Sequence, residues 1–485
     1  MSQIIVFGQS PLALEMGGLA RELGLDACVV TLDAPSAELR LAWRGMKTIE
    51  ELPADDDLRS LLASAESVIL CARTDLQNLD LAFRIHDLAP GVRAVLSLAH
   101  ARLSREIEHL VQSGGDWLSA LSPKEVAAPA FALASLEVGV VAAFEHERQF
   151  HALVHGPARE GLVLAPDETL VQAHRLSEMR NSRDQIKEVA DGLFSRARRS
   201  PDLFLTALVS LVFGVLASAT VFFHFHEHLP WMTAIYFVIT TFCTVGYGDI
   251  SLKDSDTISK IVGIGLMLGS MLLTAALFAI LTNALVQMRT DRIEGRRRFR
   301  MRNHVVVCGL GSLGFQVVKV LRHLRVKVLV IEKERSATLA DELIHMGVDY
   351  VISDATQWLV LERASLRRSR ALVCVMGHEL TSIEVAIAGR MMRPTLPAVV
   401  RVRGDEFASR LQRHLRLHSA FSVAKLAAPF FLAKALHPRG KNLLRVGGDL
   451  QVVLAAESGV RQVGTKLVEG RESLFLVPVS DLDSI

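Results

Sequence analysis

Two long runs of the chain contain no charged residue. They are Leu203–Phe223 and Ile261–Val286, and about 20 consecutive apolar residues suffice for a helix to cross the hydrocarbon core of a bilayer. A buried core helix is the alternative for either run, but two such runs close together favour a pair of membrane helices. The hydrophobic pattern therefore predicts two spans within residues 201–289.

A third apolar segment, Trp231–Cys243, lies between these runs and is too short to cross. Its length is typical of a re-entrant segment, and the sequence TVGYGD follows it at residues 244–249. Irregular backbone at membrane depth is tolerated only where it lines a water-filled cavity or is buried in protein. Gly246 and Gly248 permit the dihedrals that turn successive carbonyl groups toward one axis. Four such loops can replace the hydration shell of a potassium ion.

Arginines cluster just outside both apolar runs, which predicts by the positive-inside rule that both flanks face the cytoplasm. The loop after the first run carries His224, His226 and His228. His224 and His228 have the i, i+4 spacing of a metal-binding pair, but exposed interfacial histidines are commoner and a third firm ligand is not evident. The role of these histidines stays open. The arginines are Arg196, Arg198 and Arg199 before the first run, and Arg289, Arg292, Arg296, Arg297, Arg298 and Arg300 after the second.

Residues 304–334 follow a strand, glycine turn, helix, strand pattern. Gly309, Gly311 and Gly314 form a G-x-G-x-x-G motif directly after an apolar strand, and Glu332 ends the next strand. Glycines there allow a tight turn and close approach of a pyrophosphate to the helix N-terminus, while the acid can bind ribose hydroxyls. Further strands and helices follow, as in a doubly wound α/β domain. The pattern predicts a dinucleotide site.

The N-terminal region repeats this pattern. The strand and glycine at residues 4–8 align with residues 305–309, and residues 120–136 align without a gap with residues 420–436, sharing the sequence AAP. Such self-similarity predicts two copies of one domain.

The first copy has lost most of the glycine motif. Ser10 and Ala13 stand at the second and third glycine positions, and Pro11 removes a backbone donor, although Asp33 still ends the second strand. Because Ser10 would crowd a pyrophosphate, we expect no dinucleotide binding in the first copy.

These motifs resemble the signatures of two protein families. Residues Thr244, Val245, Gly246, Tyr247, Gly248 and Asp249 resemble the selectivity-filter signature of potassium channels, which implies a gating hinge in the inner helix, best matched by Gly269. The second copy resembles the RCK (regulator of K+ conductance) domain, also called the TrkA N-terminal domain. That resemblance implies a site for NAD or an adenine nucleotide formed by Gly309, Gly311, Ser312, Leu313, Gly314, Glu332, Asp354 and Ala355.

Calcium-gated relatives of the RCK family further imply Ca2+ ligands at Asp354 and Glu379. Helix capping explains Asp354 equally well, and an ordinary solvated carboxylate is the favoured explanation of Glu379.

The fold class predicted is an α-helical membrane pore domain, with two transmembrane helices and a re-entrant pore loop, flanked by two α/β Rossmann-like RCK domains. One filter loop per chain cannot enclose an axis, so a homotetramer is expected, and its eight RCK copies match the ring that the family uses for gating. The predicted boundaries are 1–136 for the first RCK-like domain, 137–200 for a small β lobe and helical linker, 201–289 for the pore, 290–302 for a basic linker, 303–439 for the second RCK-like domain and 440–485 for a β-rich lobe.

The functional hypothesis is a ligand-gated potassium channel of the plasma membrane, multi-pass, with both termini cytoplasmic and no enzymatic activity. Alternatives are a potassium-transporter subunit and an NAD-dependent oxidoreductase, for which no acid–base constellation is visible.

The net charge of +2 over 485 residues gives no basic field for nucleic acid. The five scattered cysteines indicate reduced thiols and no disulfide framework, and the N-terminus shows no secretory signal pattern.

Overall fold

The computed structural model of the chain divides into two compact units, residues 1–182 with 294–485 and residues 183–293. The structure describes residues 3–34, 36–112, 117–155, 162–165, 168–172, 203–293, 299, 301–334, 337–415, 417–446, 449–457, 465–468 and 472–478. The predicted linker helix and residues 294–298 and 300 of the basic linker lie outside these ranges.

The first unit begins with a six-stranded parallel sheet in the order β3-β2-β1-β4-β5-β6. Its central strands are nearly continuous apolar runs because helices cover both faces. The strands are β1 Gln3–Phe7, β2 Ala27–Val30, β3 Lys47–Ile49, β4 Ala65–Leu70, β5 Arg93–Ser97 and β6 Leu118–Leu121. The helices are α1 Pro11–Glu22, α2 Ala37–Ala42, α3 Asp55–Leu62, α4 Asp75–Leu88, α5 Ala101–Gln112 and α6 Pro123–Ala134.

A small antiparallel sheet follows, in the order β7-β8-β10-β9. Its strands lie in the region for which a small β lobe was predicted. They are β7 Val140–His146, β8 Gln149–His155, β9 Leu162–Ala165 and β10 Glu168–Gln172.

The described residues of the second unit, 203–293, form the helices α7 Leu203–His226, α8 Trp231–Phe242 and α9 Thr257–Ile293. They meet around a cluster that includes Phe223, Phe237 and Leu266. Among the described residues, one helical stretch is long and apolar enough to cross a membrane, Thr257–Ala279 of α9; the apolar stretch Ser210–His226 of α7 and helix α8 are shorter. The short α8 agrees with the re-entrant segment, whereas the first of the two predicted spans stays a prediction.

The chain then returns to the first unit with a second parallel sheet, ordered β13-β12-β11-β14-β15-β16. This order repeats that of the first sheet strand for strand, so the predicted duplication and the Rossmann-like fold class are confirmed. The strands are β11 Val305–Cys308, β12 Val328–Glu332, β13 Asp349–Ile352, β14 Ala371–Cys374, β15 Ala398–Val402 and β16 Ser419–Ser422. The helices are α10 Ser312–His323, α11 Ala337–His345, α12 Trp358–Arg363, a 3-10 turn Leu366–Arg368, α13 Glu379–Met392, α14 Asp405–Leu415 and α15 Val423–Leu436.

A second small sheet ends the unit, in the order β17-β18-β20-β19. The duplication therefore includes the small lobes, and the two lobes share one apolar cluster to which Phe144 and Leu153 contribute from the first and Leu444 and Leu474 from the second. The strands are β17 Gly440–Val446, β18 Asp449–Glu457, β19 Thr465–Val468 and β20 Glu472–Pro478.

The two copies exchange their last helices. Helix α6 of the first copy packs on α10 of the second, α15 of the second packs on α1 of the first, and α6 and α15 also touch each other. Phe131 of α6 meets Phe421 edge-on with ring centroids 5.4 Å apart, and the Arg370 guanidinium donates to the Leu136 carbonyl at 3.1 Å. Each copy therefore completes the core of the other.

Candidate functional site

The TVGYGD loop follows the C-terminal end of α8, and its backbone φ angles alternate in sign. Thr244, Gly246 and Gly248 have φ of +57°, +52° and +78°, whereas Val245 and Tyr247 are absent from the positive-φ region. This is a backbone pattern in which successive carbonyl groups can line one side of a loop, with the N–H groups on the other. Gly246 and Gly248 thus hold the dihedrals predicted for them. Positive φ at Thr244 is uncommon for a β-branched residue and is a feature that the sequence did not reveal.

Hydrogen bonds fix the loop to the last turn of α8. The Thr240 carbonyl accepts from the N–H groups of Val245 at 2.9 Å and Gly246 at 3.2 Å. The Tyr236 side chain of the same helix lies near Asp249. The start of the loop is therefore fixed by α8.

The side chains of this loop point away from the chain that carries them. Val245 is 51% exposed and Tyr247 is 72% exposed, and a Cβ added at Gly246 or Gly248 would meet nothing within 4 Å. An apolar and an aromatic side chain of this loop are thus left largely exposed by the described residues of their own chain.

The predicted hinge residue Gly269 lies within α9, which is continuous from Thr257 to Ile293. A Cβ at Gly269 would meet nothing within 4 Å, whereas one at Gly263 would lie 2.6 Å from the Leu252 side chain. Gly263 is therefore explained by packing. Bending at Gly269 stays a prediction.

The histidines near the end of α7 have structural partners. The ring of His226 lies 3.0 Å from the Asp256 carboxylate, and His224 stacks on Trp231 with centroids 3.8 Å apart. Asp256 also accepts from the Ser259 N–H at 2.9 Å, which caps α9. Among the described residues, no three His, Cys, Asp or Glu side chains form a metal-binding group.

The glycine turn of the second copy follows β11. Gly309 has a φ of +99°, and a Cβ there would lie 2.9 Å from the Met376 backbone. A Cβ at Gly314 would lie 2.0 Å from the Gly309 carbonyl oxygen, whereas one at Gly311 would meet nothing within 4 Å. The first and third glycines are required by the fold, and the second leaves open space at the N-terminus of α10. That space fits the close approach of a pyrophosphate.

The predicted acids of this site are both engaged. Glu332 accepts from the Leu310 N–H and from the N–H groups of Lys333 and Glu334. Asp354 accepts from Thr356 and forms an ion pair with Lys333 at 2.9 Å. The hydrogen bond from Lys333, with those from Thr356, lowers the pKa of Asp354 to about 2. Glu332 remains able to accept a ribose hydroxyl because a carboxylate has about four lone-pair sites.

The remaining predicted site residues support the turn. Ser312 opens α10, and Leu313 and Ala355 are buried at 3% and 6% exposure. Glu379 opens α13 and accepts from the Arg403 N–H at 3.0 Å. Within the described ranges neither Asp354 nor Glu379 belongs to a three-ligand cluster, so a Ca2+ role for them stays a prediction.

The corresponding turn of the first copy differs as its sequence suggests. Gly8 has a φ of +122°, and a Cβ at this position would lie 2.4 Å from the Cys71 carbonyl oxygen. The first glycine of the motif is therefore still required by the fold. The Asp33 carboxylate accepts a hydrogen bond from the Gln9 side-chain amide at 3.1 Å and lies 3.7 Å from the Arg73 guanidinium. The acid at the position of Glu332 thus has side-chain partners from the same edge, whereas Glu332 accepts from backbone N–H groups.

Arg401 and Met376 lie beside the glycine turn of the second copy but belong to no sequence motif. Arg401, near the end of β15, donates to the Met376 carbonyl at 3.3 Å, and the Met376 backbone is the surface that Gly309 touches. In the sequence, Arg401 is recognisable only as a basic residue near the end of an apolar strand. That it lies close to the glycine turn follows from the order of the strands in the sheet.

Comparisons with known proteins find two families in the chain. Residues 210–287 match the ion channel family and residues 305–423 match the TrkA-N domain. The chain therefore combines a membrane ion-channel domain, which carries the TVGYGD loop, with a TrkA-N domain, which carries the glycine turn.

Potassium channels are among its relatives. The chain is 21% identical over 196 residues to the probable potassium channel protein 2 of Methanocaldococcus jannaschii, covering 37% of this chain and 53% of that one. It is 25% identical over 159 residues to the calcium-gated potassium channel TvoK of Thermoplasma volcanium, covering 33% and 44%. The chain thus spans about half the length of these relatives. A solved GsuK channel aligns over 100% of this chain and 78% of its own length, with 13% identity and a TM-score of 0.50, which is a likeness of fold.

Proposed function

We propose that this chain is the subunit of a ligand-gated, potassium-selective channel. The observation that carries the proposal is the alternating backbone of Thr244–Gly248, fixed by hydrogen bonds to the end of a short apolar helix. Rings of backbone carbonyl groups are what replaces the hydration shell of K+ in a selectivity filter. The names of the relatives support the same ion.

The assembly that this function requires is a homotetramer in the cell membrane. One loop presents carbonyl groups to one side of an axis only, so four chains are needed to surround an ion. The exposed side chains of Val245 and Tyr247 would then pack against neighbouring subunits. The arginines outside both apolar runs favour a multi-pass arrangement with both termini in the cytoplasm.

The gating ligand is a nucleotide, NAD or an adenine nucleotide, bound at the glycine turn of the second copy. Its phosphates would meet the open space at Gly311, and Glu332 would accept from a ribose hydroxyl. Ca2+ is the second candidate, favoured by the name of the Thermoplasma relative. The first copy would serve to build the ring.

Flux through reconstituted vesicles tests the channel. The full chain should pass K+ and exclude Na+, and nucleotide on the cytoplasmic side should change the rate. Gly246→Ala should abolish K+ flux, because φ of +52° is unfavourable for alanine, while the tetramer persists. Gly265→Ala is the matched control, since a Cβ there meets nothing within 4 Å and the residue lies in a helix.

Undiminished K+-selective flux in Gly246→Ala would overturn the assignment of the filter. If K+ flux is the same with and without NAD, ADP and Ca2+, the assignment of the pore stands but the proposed gating by a ligand is wrong.

A further inference from the structure

Positive side chains from both copies meet at the edge of the second sheet. Lys124 lies at the start of α6 in the first copy, and Arg401 is the penultimate residue of β15 in the second. Both are partly buried. They are close enough for their charges to repel, although 276 intervening positions separate them in the sequence.

The exchange of helices explains this proximity. Helix α6 packs on α10, the helix whose N-terminus follows the glycine turn. Arg401 reaches the same turn from the other side through its 3.3 Å hydrogen bond to the Met376 carbonyl, since Met376 touches Gly309. Lys124 and Arg401 thus belong to one edge that also holds the glycine turn.

Among the described residues, none accepts a hydrogen bond from the Lys124 ammonium. Asp75 acts on Lys124 and Glu379 acts on Arg401 through their charges alone. Both acids also accept hydrogen bonds from other groups, Asp75 from the Ala99 N–H at 2.8 Å and from His100 at 3.0 Å, and Glu379 from the Arg403 N–H. Burial first, and then the facing charge of Arg401, lowers the pKa of Lys124. Burial first, and then Arg403, lowers that of Arg401. An anion placed between them would relieve this repulsion.

We propose that Lys124 of the first copy and Arg401 of the second together bind the phosphate oxygens of the nucleotide held at the glycine turn. The ligand would then bridge the two copies, and the degenerate first copy would supply a binding residue in place of a second site. This inference rests on the proposed nucleotide site. It adds that the site is incomplete without the first copy.

Calorimetric titration of the purified full chain tests the inference, with ADP and NAD as probes and adenosine as the probe without phosphate. Lys124→Gln should weaken ADP binding about tenfold, equal to ~1.4 kcal/mol, and leave the binding of adenosine unchanged. Lys124→Arg should restore most of the loss because it keeps the charge. Arg401→Gln should weaken ADP binding at least as much, since it also loses the Met376 contact.

Lys425→Gln is the matched control. It removes the same charge from the start of α15, the helix that corresponds to α6 in the other copy, and it should not change ADP binding. Thermal unfolding of each variant separates a loss of binding from a loss of fold.

Three outcomes overturn the inference. If Lys124→Gln binds ADP as tightly as the unaltered chain while Gly311→Ala binds it weakly, the nucleotide site stands but belongs to the second copy alone. Equal losses in Lys124→Gln and Lys425→Gln would indicate a general effect of charge. Failure of the unaltered chain to bind ADP or NAD would overturn both this inference and the proposed nucleotide ligand, with the potassium flux unaffected.

Discussion

At the scale of the residue, the three glycines of the second copy serve two different purposes. Gly309 and Gly314 have no room for a Cβ because backbone atoms lie 2.9 Å and 2.0 Å from its position, whereas Gly311 faces open space. Packed backbone atoms move less readily than a flexible side chain. The same motif therefore combines residues required for folding with one required for a ligand.

Gly314→Ala should destabilise the fold and Gly311→Ala should not. The added methyl group of Gly314→Ala would press on the Gly309 carbonyl, and overpacking typically costs ~1–3 kcal/mol. Gly311→Ala should keep the unfolding temperature but weaken ADP binding about tenfold, because the methyl group fills the approach of the pyrophosphate. Thermal unfolding and calorimetric titration of both variants measure the two effects.

The reverse pattern, with Gly311→Ala destabilised and Gly314→Ala unaffected, would contradict the distinction between the two glycines.

At the scale of the element, the exchanged helices α6 and α15 hold the copies together. Ala127, Ala128, Ala427 and Ala428 are all fully buried, and they belong to the apolar clusters that contain α10 and α1, respectively. Small side chains let helices approach closely, since the distance between helix axes depends on the side chains at the contact. The two alanines of the AAP sequence shared by the helices are thus explained by packing.

Ala128→Leu should reduce the stability of the first unit by ~1–3 kcal/mol, because three further carbon atoms have no space in this contact. Thermal unfolding of the full chain in detergent is the measurement. Ala37→Leu is the control, since Ala37 lies on an exposed surface of α2 and should change the unfolding temperature little. An Ala128→Leu chain as stable as the control would show that the helix contact is loosely packed.

At the scale of the whole molecule, two buried histidines are kept neutral, one in the first small lobe and one next to the second parallel sheet. Burial lowers the pKa of His151 and of His304 to about 4. His151 stacks on Phe144, and His304 lies 3.0 Å from the Ala364 carbonyl. In the unfolded chain a histidine takes up its proton near pH 6.5. The folded state therefore binds fewer protons than the unfolded state between about pH 6.5 and pH 4.

Stability should fall as the pH is lowered through this window, by on the order of 2–3 kcal/mol for each histidine. Burial raises the pKa of Glu108 and Glu125, and these two acids therefore stabilise the folded state as the pH falls. The contribution of one histidine is measured by comparing a variant that lacks it with the unaltered chain. His304→Gln should flatten the pH dependence of the unfolding temperature between pH 7 and pH 4.5. Parallel profiles for the variant and the unaltered chain would contradict the assignment.

Local patterns in the sequence were enough for several features. The uncharged runs, TVGYGD and G-x-G-x-x-G are contiguous, and their chemistry follows from backbone freedom and hydrophobic length, so the loop dihedrals at Gly246 and Gly248 and the turn at Gly309 agreed with expectation. The duplication was also visible, because aligned segments keep their spacing.

The tertiary structure decided what depends on residues far apart in the chain. The exchange of α6 and α15, the occupation of Asp33 by Gln9 and Arg73, and the meeting of Lys124 with Arg401 all arise between separate elements. No local pattern encodes them. The sequence by itself determined which backbone each motif can adopt, because that choice is made within a few residues; the fold alone determined which side chains face the motif, because packing between distant segments fixes their distances.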